Sequence, residues 1–226
     1  MNAAPTPYTA IERRIALAAQ AAGRPGGVGL LAVSKGQSAA AIRALAAAGQ
    51  HAFGENYVQE ALAKQAELAD LPLTWHLIGA LQSNKCREAA RHFDWLHTLD
   101  RAKLVEPLAR YRPDDRPPLN VLIQVDIDTE ASKSGCRPDE IEGLAAAVAR
   151  QPRLRLRGLM AIPAPWPEIE RRRDAFARMH RLFERLRDAH AGIDTLSLGM
   201  SADFEDAIAA GSTLVRIGTA LFGARR

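Results

Sequence analysis

A lysine at the end of an apolar run is placed to do what a surface lysine rarely does. Lys35 closely follows Leu30-Leu31-Ala32-Val33, so an apolar wall would enclose its stem and leave its amine at the edge. Such surroundings favour the neutral amine, the form that attacks an aldehyde and holds it as an imine. The same position also suits a solvent-facing loop lysine. Lys64 and Lys103 fall on helical stretches and are expected at the surface. Lys85 and Lys133 lie in or near loops that follow strands and are weaker competitors of Lys35.

Two later segments offer oxyanion chemistry. Gly199-Met200-Ser201-Ala202-Asp203 follows an apolar run and opens a helical pattern, Phe204 to Ala209. Ser201 can there present its hydroxyl beside exposed N–H groups and the positive end of a helix dipole, where a phosphate is well placed. A plain N-cap role for Ser201 would account for the same residue without a ligand. Gly218-Thr219 adds an unhindered backbone and a second hydroxyl facing the same space. Arg216 alternates with Val215 and Ile217 and is expected on the opposite face of its strand from them. An inward arginine needs a partner. Either a carboxylate such as Asp126 or Asp128 supplies it, or a ligand does, through a heteroaromatic nitrogen or a phosphate.

Other patterns fail on context. Gly27-Val28-Gly29-Leu30-Leu31-Ala32 fits a loose dinucleotide fingerprint but precedes a strand instead of following one. The Ser201 turn lacks the final glycine of a nucleophile elbow. The six histidines show no metal-ligand spacing, and His76, although it could face the site, is expected as a hydrogen-bonded core residue. Cys86 and Cys136 form no CxxC and are read as free, reduced thiols, with no metal site. With no secretory signal and no apolar run near the ~18 residues of a membrane span, the chain is expected in the cytoplasm. The net charge of +4 does not call for nucleic acid, and Arg171-Arg172-Arg173 sits in a helical pattern as a solvated face.

The elements that must bring these residues together are legible as an alternation. Eight apolar runs (29–34, 52–54, 75–79, 95–99, 119–125, 156–160, 195–198 and 213–217) alternate with amphipathic helical patterns such as 39–48, 58–69, 85–91, 139–150 and 169–189. Repeated strand then helix implies parallel strands. A doubly wound open sheet obeys the same rule, but eight units without a composition shift fit closure better. The expected fold is one (β/α)8 barrel domain over residues 1–226, with 1–27 as an extra N-terminal helix and connector. In such a barrel the loops after the strands converge on one face, which would gather Lys35 with loops seven and eight.

Five segments in this order carry a resemblance: Leu31-Ala32-Val33-Ser34-Lys35; Phe53-Gly54-Glu55-Asn56-Tyr57-Val58-Gln59-Glu60; Trp75-His76-Leu77-Ile78-Gly79 continuing to Lys85; Gly158-Leu159-Met160-Ala161-Ile162-Pro163; and Leu198 to Asp203 continuing to Val215-Arg216-Ile217-Gly218-Thr219. Together they resemble the pyridoxal-phosphate homeostasis protein family, relatives of the N-terminal barrel of alanine racemase. The resemblance implies that Lys35 holds pyridoxal 5′-phosphate as an aldimine, that Ser201, Gly218 and Thr219 hold its phosphate, and that Arg216 faces the pyridine nitrogen. It also implies that Asn56 and Met160 line the ring. An arginine at that nitrogen keeps it unprotonated and a poor electron sink, which argues against easy carbanion chemistry. Gly36 departs from the Thr more often found in the family, and Asp126 from Asn, which bears on loop detail.

The implied role is binding, storing or delivering the cofactor inside the cell, with pyridoxal-phosphate-dependent apoenzymes as acceptors, no catalytic residue and a monomeric state. The alternatives are a weak amino-acid racemase and a barrel for some other phosphate ligand. Racemases of this fold draw a tyrosine from an additional C-terminal β-domain, whereas here the eighth strand lies close to Arg226. The tyrosines are Tyr8, Tyr57 and Tyr111, with only Tyr57 in a mouth loop, so a carrier is expected.

Overall fold

The computed structural model describes residues 6–128 and 134–223. Eight parallel strands close into a barrel in sequence order, β1 pairing with β8. They are β1 Gly29–Val33, β2 Ala52–Glu55, β3 Thr74–Leu77, β4 Trp95–Leu99, β5 Leu119–Gln124, β6 Leu154–Met160, β7 Thr195–Ser197 and β8 Leu214–Ile217. All eight apolar runs are strands, with ends displaced by at most two residues. Helices cover the outer faces of these strands while side chains fill the barrel, so both faces are buried. That is why the strands read as continuous apolar runs instead of alternating ones.

The helices are α1 Pro7–Ala21, α2 Ala39–Ala47, α3 Val58–Glu67, α4 Cys86–His92, α5 Val105–Tyr111, α6 Ile141–Ala149, α7 Ile169–Ala189, α8 Phe204–Ala209 and α9 Thr219–Phe222. Their starts follow local chemistry. Thr6 caps α1 by accepting from Thr9 N, with proline in the first turn, and Ser38 caps α2 by accepting from Ala41 N at 3.2 Å. In α7 the buried residues Ala175, Phe176, Met179, Phe183 and Leu186 recur at three- and four-residue spacing and form one stripe against the barrel. In its basic run Arg171 and Arg173 are exposed, Arg173 pairing with Asp206 on α8 and Arg171 lying over the Trp166 ring at 4.8 Å, whereas Arg172 is half-buried and donates to Trp166 O at 3.1 Å. The expected N-terminal helix is α1, which packs on α8 and α9.

Cys86 and Cys136 are buried, unpaired thiols. No helix among the described residues is long and apolar enough to cross a membrane.

Candidate functional site

At the C-terminal ends of the strands a cavity of about 360 Å³ opens, walled by Val33, Lys35, Gln37, Asn56, Ile78, Ile162, Met200, Ser201, Ala202, Arg216, Gly218, Thr219 and Gly223. It brings together six of the seven residues singled out from the sequence. Met160 is not in this wall: it is fully buried at the end of β6, and Ile78 and Ile162 provide the apolar surface instead. Lys85 lines a neighbouring recess with Tyr57, and Lys133 lies outside the described residues.

Lys35 stands two residues past β1, half-buried, and among the described residues its amine meets no hydrogen-bond acceptor or ion-pair partner. A cation-forming group held at a cavity wall without a partner is available for a ligand. Asn56 is placed by the turn after β2. That turn is packed so closely on Gly79 that a Cβ there would lie 2.0 Å from Asn56 O.

The far wall is built by loops seven and eight. Gly199 adopts φ +89°, and a Cβ at that position would come within 2.7 Å of Ala207 Cβ and 2.9 Å of Phe204 Cα, so only glycine lets the turn lie against α8. Asp203 holds the N-cap position of α8; its side chain makes no bond to the helix, and its Oδ1 instead accepts from Met200 N in the preceding turn at 2.7 Å. Ser201 is therefore not the N-cap, and its hydroxyl is left at the cavity wall. Opposite, a Cβ on Gly218 would approach Val33 O to 3.3 Å, so glycine keeps the floor between β8 and β1 open. The first turn of α9 leaves the Thr219 and Ala220 N–H groups without an intrahelical acceptor. Two hydroxyls and these amides make a neutral donor set suited to an anion.

Arg216 is 4% exposed and, among the described residues, has no carboxylate partner at hydrogen-bond distance. Its Nη1 donates to Ser197 O and Ser197 Oγ at 2.7 Å each, and its Nη2 to Ala161 O at 2.9 Å. Neither carboxylate considered from the sequence serves it; Asp128 instead binds Arg178 and the Ala164 N–H. Burial lowers the guanidinium to about 10, partly offset by the more distant Asp203, so it stays a cation at neutral pH. With three of its five N–H groups satisfied by neutral oxygens, it presents a buried positive charge to the cavity.

Behind Arg216 runs a polar chain through the barrel interior. Ser197 Oγ lies 3.4 Å from His97 Nδ1, and His97 Nε2 lies 2.9 Å from His76 Nδ1. His76 is thus the hydrogen-bonded core residue anticipated, stacked on Trp95 at 5.2 Å. The Ser197 hydroxyl accepts from Arg216 and keeps both a proton and a second lone pair for His97, so the chain links Arg216 to the two imidazoles in either tautomer. Burial drives His76 down to about 3, and drives His97 well below its usual 6.5, helped by His76 and Arg216.

Both imidazoles are therefore neutral in the folded chain, while below pH 6.5 the unfolded chain takes up protons that the folded one refuses. Stability rises with pH across that window and is lost as pH falls from 6.5 toward 3. Each histidine should contribute a slope of up to roughly 1.4 kcal/mol per pH unit. Urea unfolding between pH 4.5 and 7 is expected to show a shallower acid loss for His97→Gln than for the unaltered chain. Equal slopes would contradict the assignment.

Residues 8–226 match the family described as alanine racemase, N-terminal domain. The pyridoxal phosphate homeostasis protein of Pseudomonas aeruginosa is 59% identical over 216 residues, covering 95% of this chain and 93% of that protein. The chain belongs to the pyridoxal phosphate homeostasis protein family. The homeostasis protein of Escherichia coli K12 is 54% identical over 219 residues, covering 95% of this chain and 94% of its own. Among solved structures, this family member resembles PipY of Synechococcus elongatus, described with pyridoxal 5′-phosphate bound. It does so at TM-score 0.80 and 40% identity, over 94% of this chain and all of PipY.

The sequence reading missed Lys64. Expected on a solvated helix face, it is 6% exposed, and its Nζ contacts Glu55, Glu60 and Ser34 O beside the Lys35 loop. The carboxylate ending β2 was the available signal.

Proposed function

We propose that this chain binds pyridoxal 5′-phosphate through Lys35 and acts in its intracellular homeostasis by holding, storing or delivering it. The observation that carries the reading is the convergence on one cavity of an amine without a partner among the described residues, a buried cation and a neutral oxyanion donor set. The residues fit the group: Lys35 would provide the amine, Ser201, Gly218 and Thr219 would hold the phosphate, and Arg216 would face the ring nitrogen. Asn56, Ile78 and Ile162 would flank the ring. When bound, pyridoxal 5′-phosphate supplies an aldehyde that condenses reversibly with a primary amine and a pyridine ring that can delocalise charge.

The ionisable residues in the cavity wall are Lys35 and Arg216, among the described residues. Arg216 remains protonated and donates only. Racemisation needs a second group to carry a proton to the opposite face, so this wall supports a holding role over a racemase. Incubating the loaded protein with L-alanine and other L-amino acids should give no Lys35-dependent racemisation; substantial racemisation would overturn the carrier reading.

Ser201→Ala should weaken binding of pyridoxal 5′-phosphate about tenfold, the loss of one hydrogen bond to a charged group. Binding of pyridoxal, which lacks the phosphate, should change little. An equal loss for both ligands would place the phosphate elsewhere. We further propose that residues 1–226 form one domain acting as a monomer in the cytoplasm, where buried free thiols fit a reducing compartment. Acceptors of the cofactor would be apoenzymes that depend on it.

A further inference from the structure

We propose that Lys64 is a positioning residue that clamps the backbone on both sides of Lys35. The inference rests on the reading of Lys35 as the attachment amine. Lys64 Nζ reaches Glu55 Oε1 at 2.7 Å, Glu60 Oε1 at 2.6 Å and Ser34 O at 2.8 Å. The same two carboxylate oxygens bind the residues flanking Lys35: Ser34 Oγ donates to Glu55 Oε1 at 2.5 Å, and Gly36 N donates to Glu60 Oε1 at 2.6 Å. One ammonium thus ties three groups of the Lys35 loop to the end of β2 and the first turn of α3, while the Lys35 side chain itself is left free.

β1 ends at Val33, and the Ser34 carbonyl just beyond it already accepts from Gln37 N at 3.0 Å. Lys64 therefore adds a second donor that backbone satisfaction does not require. To place it there the chain buries an ion pair, with Lys64 and Glu55 side chains 8% and 0% exposed. Such a pair is a poor source of net stability because desolvation opposes the Coulomb attraction. Its geometry, however, is demanding: shifting the Lys35 loop breaks several charge-assisted bonds at once. The cluster therefore fixes where the Lys35 stem begins, and the amine searches the cavity from a rigid base.

Condensation joins Lys35 Nζ to the aldehyde carbon and releases the carbonyl oxygen as water, so its rate depends on how the amine is presented. Pyridoxine 5′-phosphate has the same ring and phosphate with an alcohol in place of the aldehyde, and its binding does not depend on that presentation. The test measures two quantities on the full chain: the rate of borohydride-trappable adduct formation with pyridoxal 5′-phosphate, and the Kd of pyridoxine 5′-phosphate.

Lys64→Met should slow adduct formation at least roughly tenfold, and Glu60→Ala several-fold, as expected when a reacting group is displaced by about 1 Å. The Kd of the alcohol should stay within about twofold in both variants, since the phosphate and ring contacts are untouched. Glu60 is partly exposed, so Glu60→Ala gives a folded variant if Lys64→Met does not fold. Unchanged rates would overturn the proposal, and so would equal losses in rate and in Kd, which would indicate a general structural role. Absence of any adduct in the unaltered chain would overturn the reading of Lys35 itself, and the clamp with it.

Discussion

Lys35→Ala is expected to abolish the borohydride-stable adduct with pyridoxal 5′-phosphate and to weaken binding on the order of a hundredfold, about 3 kcal/mol. The residual affinity would come from the phosphate donors and from Arg216, which the substitution leaves in place. The fold should tolerate the change. Among the described residues the Lys35 amine makes no ion pair or hydrogen bond, and the residue is half-buried at a cavity wall, so thermal stability should move by no more than about 0.5 kcal/mol. Equilibrium dialysis together with thermal unfolding checks both parts. A variant that unfolded, or that kept its adduct, would show that Lys35 serves a structural purpose and that another amine reacts.

A large loss of stability is expected from Gly79→Ala. A Cβ at Gly79 would lie 2.0 Å from Asn56 O and 2.7 Å from Asn56 C. These are backbone atoms, so no side-chain rotation relieves the overlap. The neighbouring links are also tight: Ile78 N donates to Glu55 O at 2.9 Å, and Gly79 O accepts from Thr98 Oγ1 at 2.8 Å. Relief would require the Asn56 turn to move, and with it the cavity wall between Lys35 and Ile78. A loss of about 4 kcal/mol or more is expected, in the range of severe core disruption. Ligand affinity should fall in whatever fraction stays folded. Gly143→Ala is the matched control. Gly143 lies in α6 with nothing within 4 Å of the added methyl group, so helix propensity should stabilise the chain by about 1 kcal/mol. Chemical denaturation of both variants measures the contrast.

The fold was open to reading because each strand is buried on both faces and each helix on one, which writes two different periods into the sequence. The barrel mouth followed from the same pattern, and with it the gathering of Lys35, Asn56, Ser201, Arg216, Gly218 and Thr219. What escaped was pairing at a distance. Lys64 sits at a helix position whose neighbours, Glu60 among them, suggest a solvated i, i+4 ion pair. Its burial comes from Glu55, nine residues away at the end of β2, and from Ser34, 30 residues away. Arg216 posed the same difficulty: alternation turned it inward, but its partners Ser197 and Ala161 come from the two preceding strand ends and offer neutral oxygens that no charge pattern marks. The Ser201 turn was placed correctly, yet only its backbone geometry shows that Asp203, and not Ser201, holds the N-cap position of α8. Met160 differs because a strand's final residue can point into the barrel or out over the mouth, and one residue of register decides between them.

The most direct test of the central claim is to load the purified chain with pyridoxal 5′-phosphate, reduce it with borohydride, digest it and locate the modified lysine by peptide mass. A single label on Lys35 is expected. Label on Lys85 or Lys133 would contradict it.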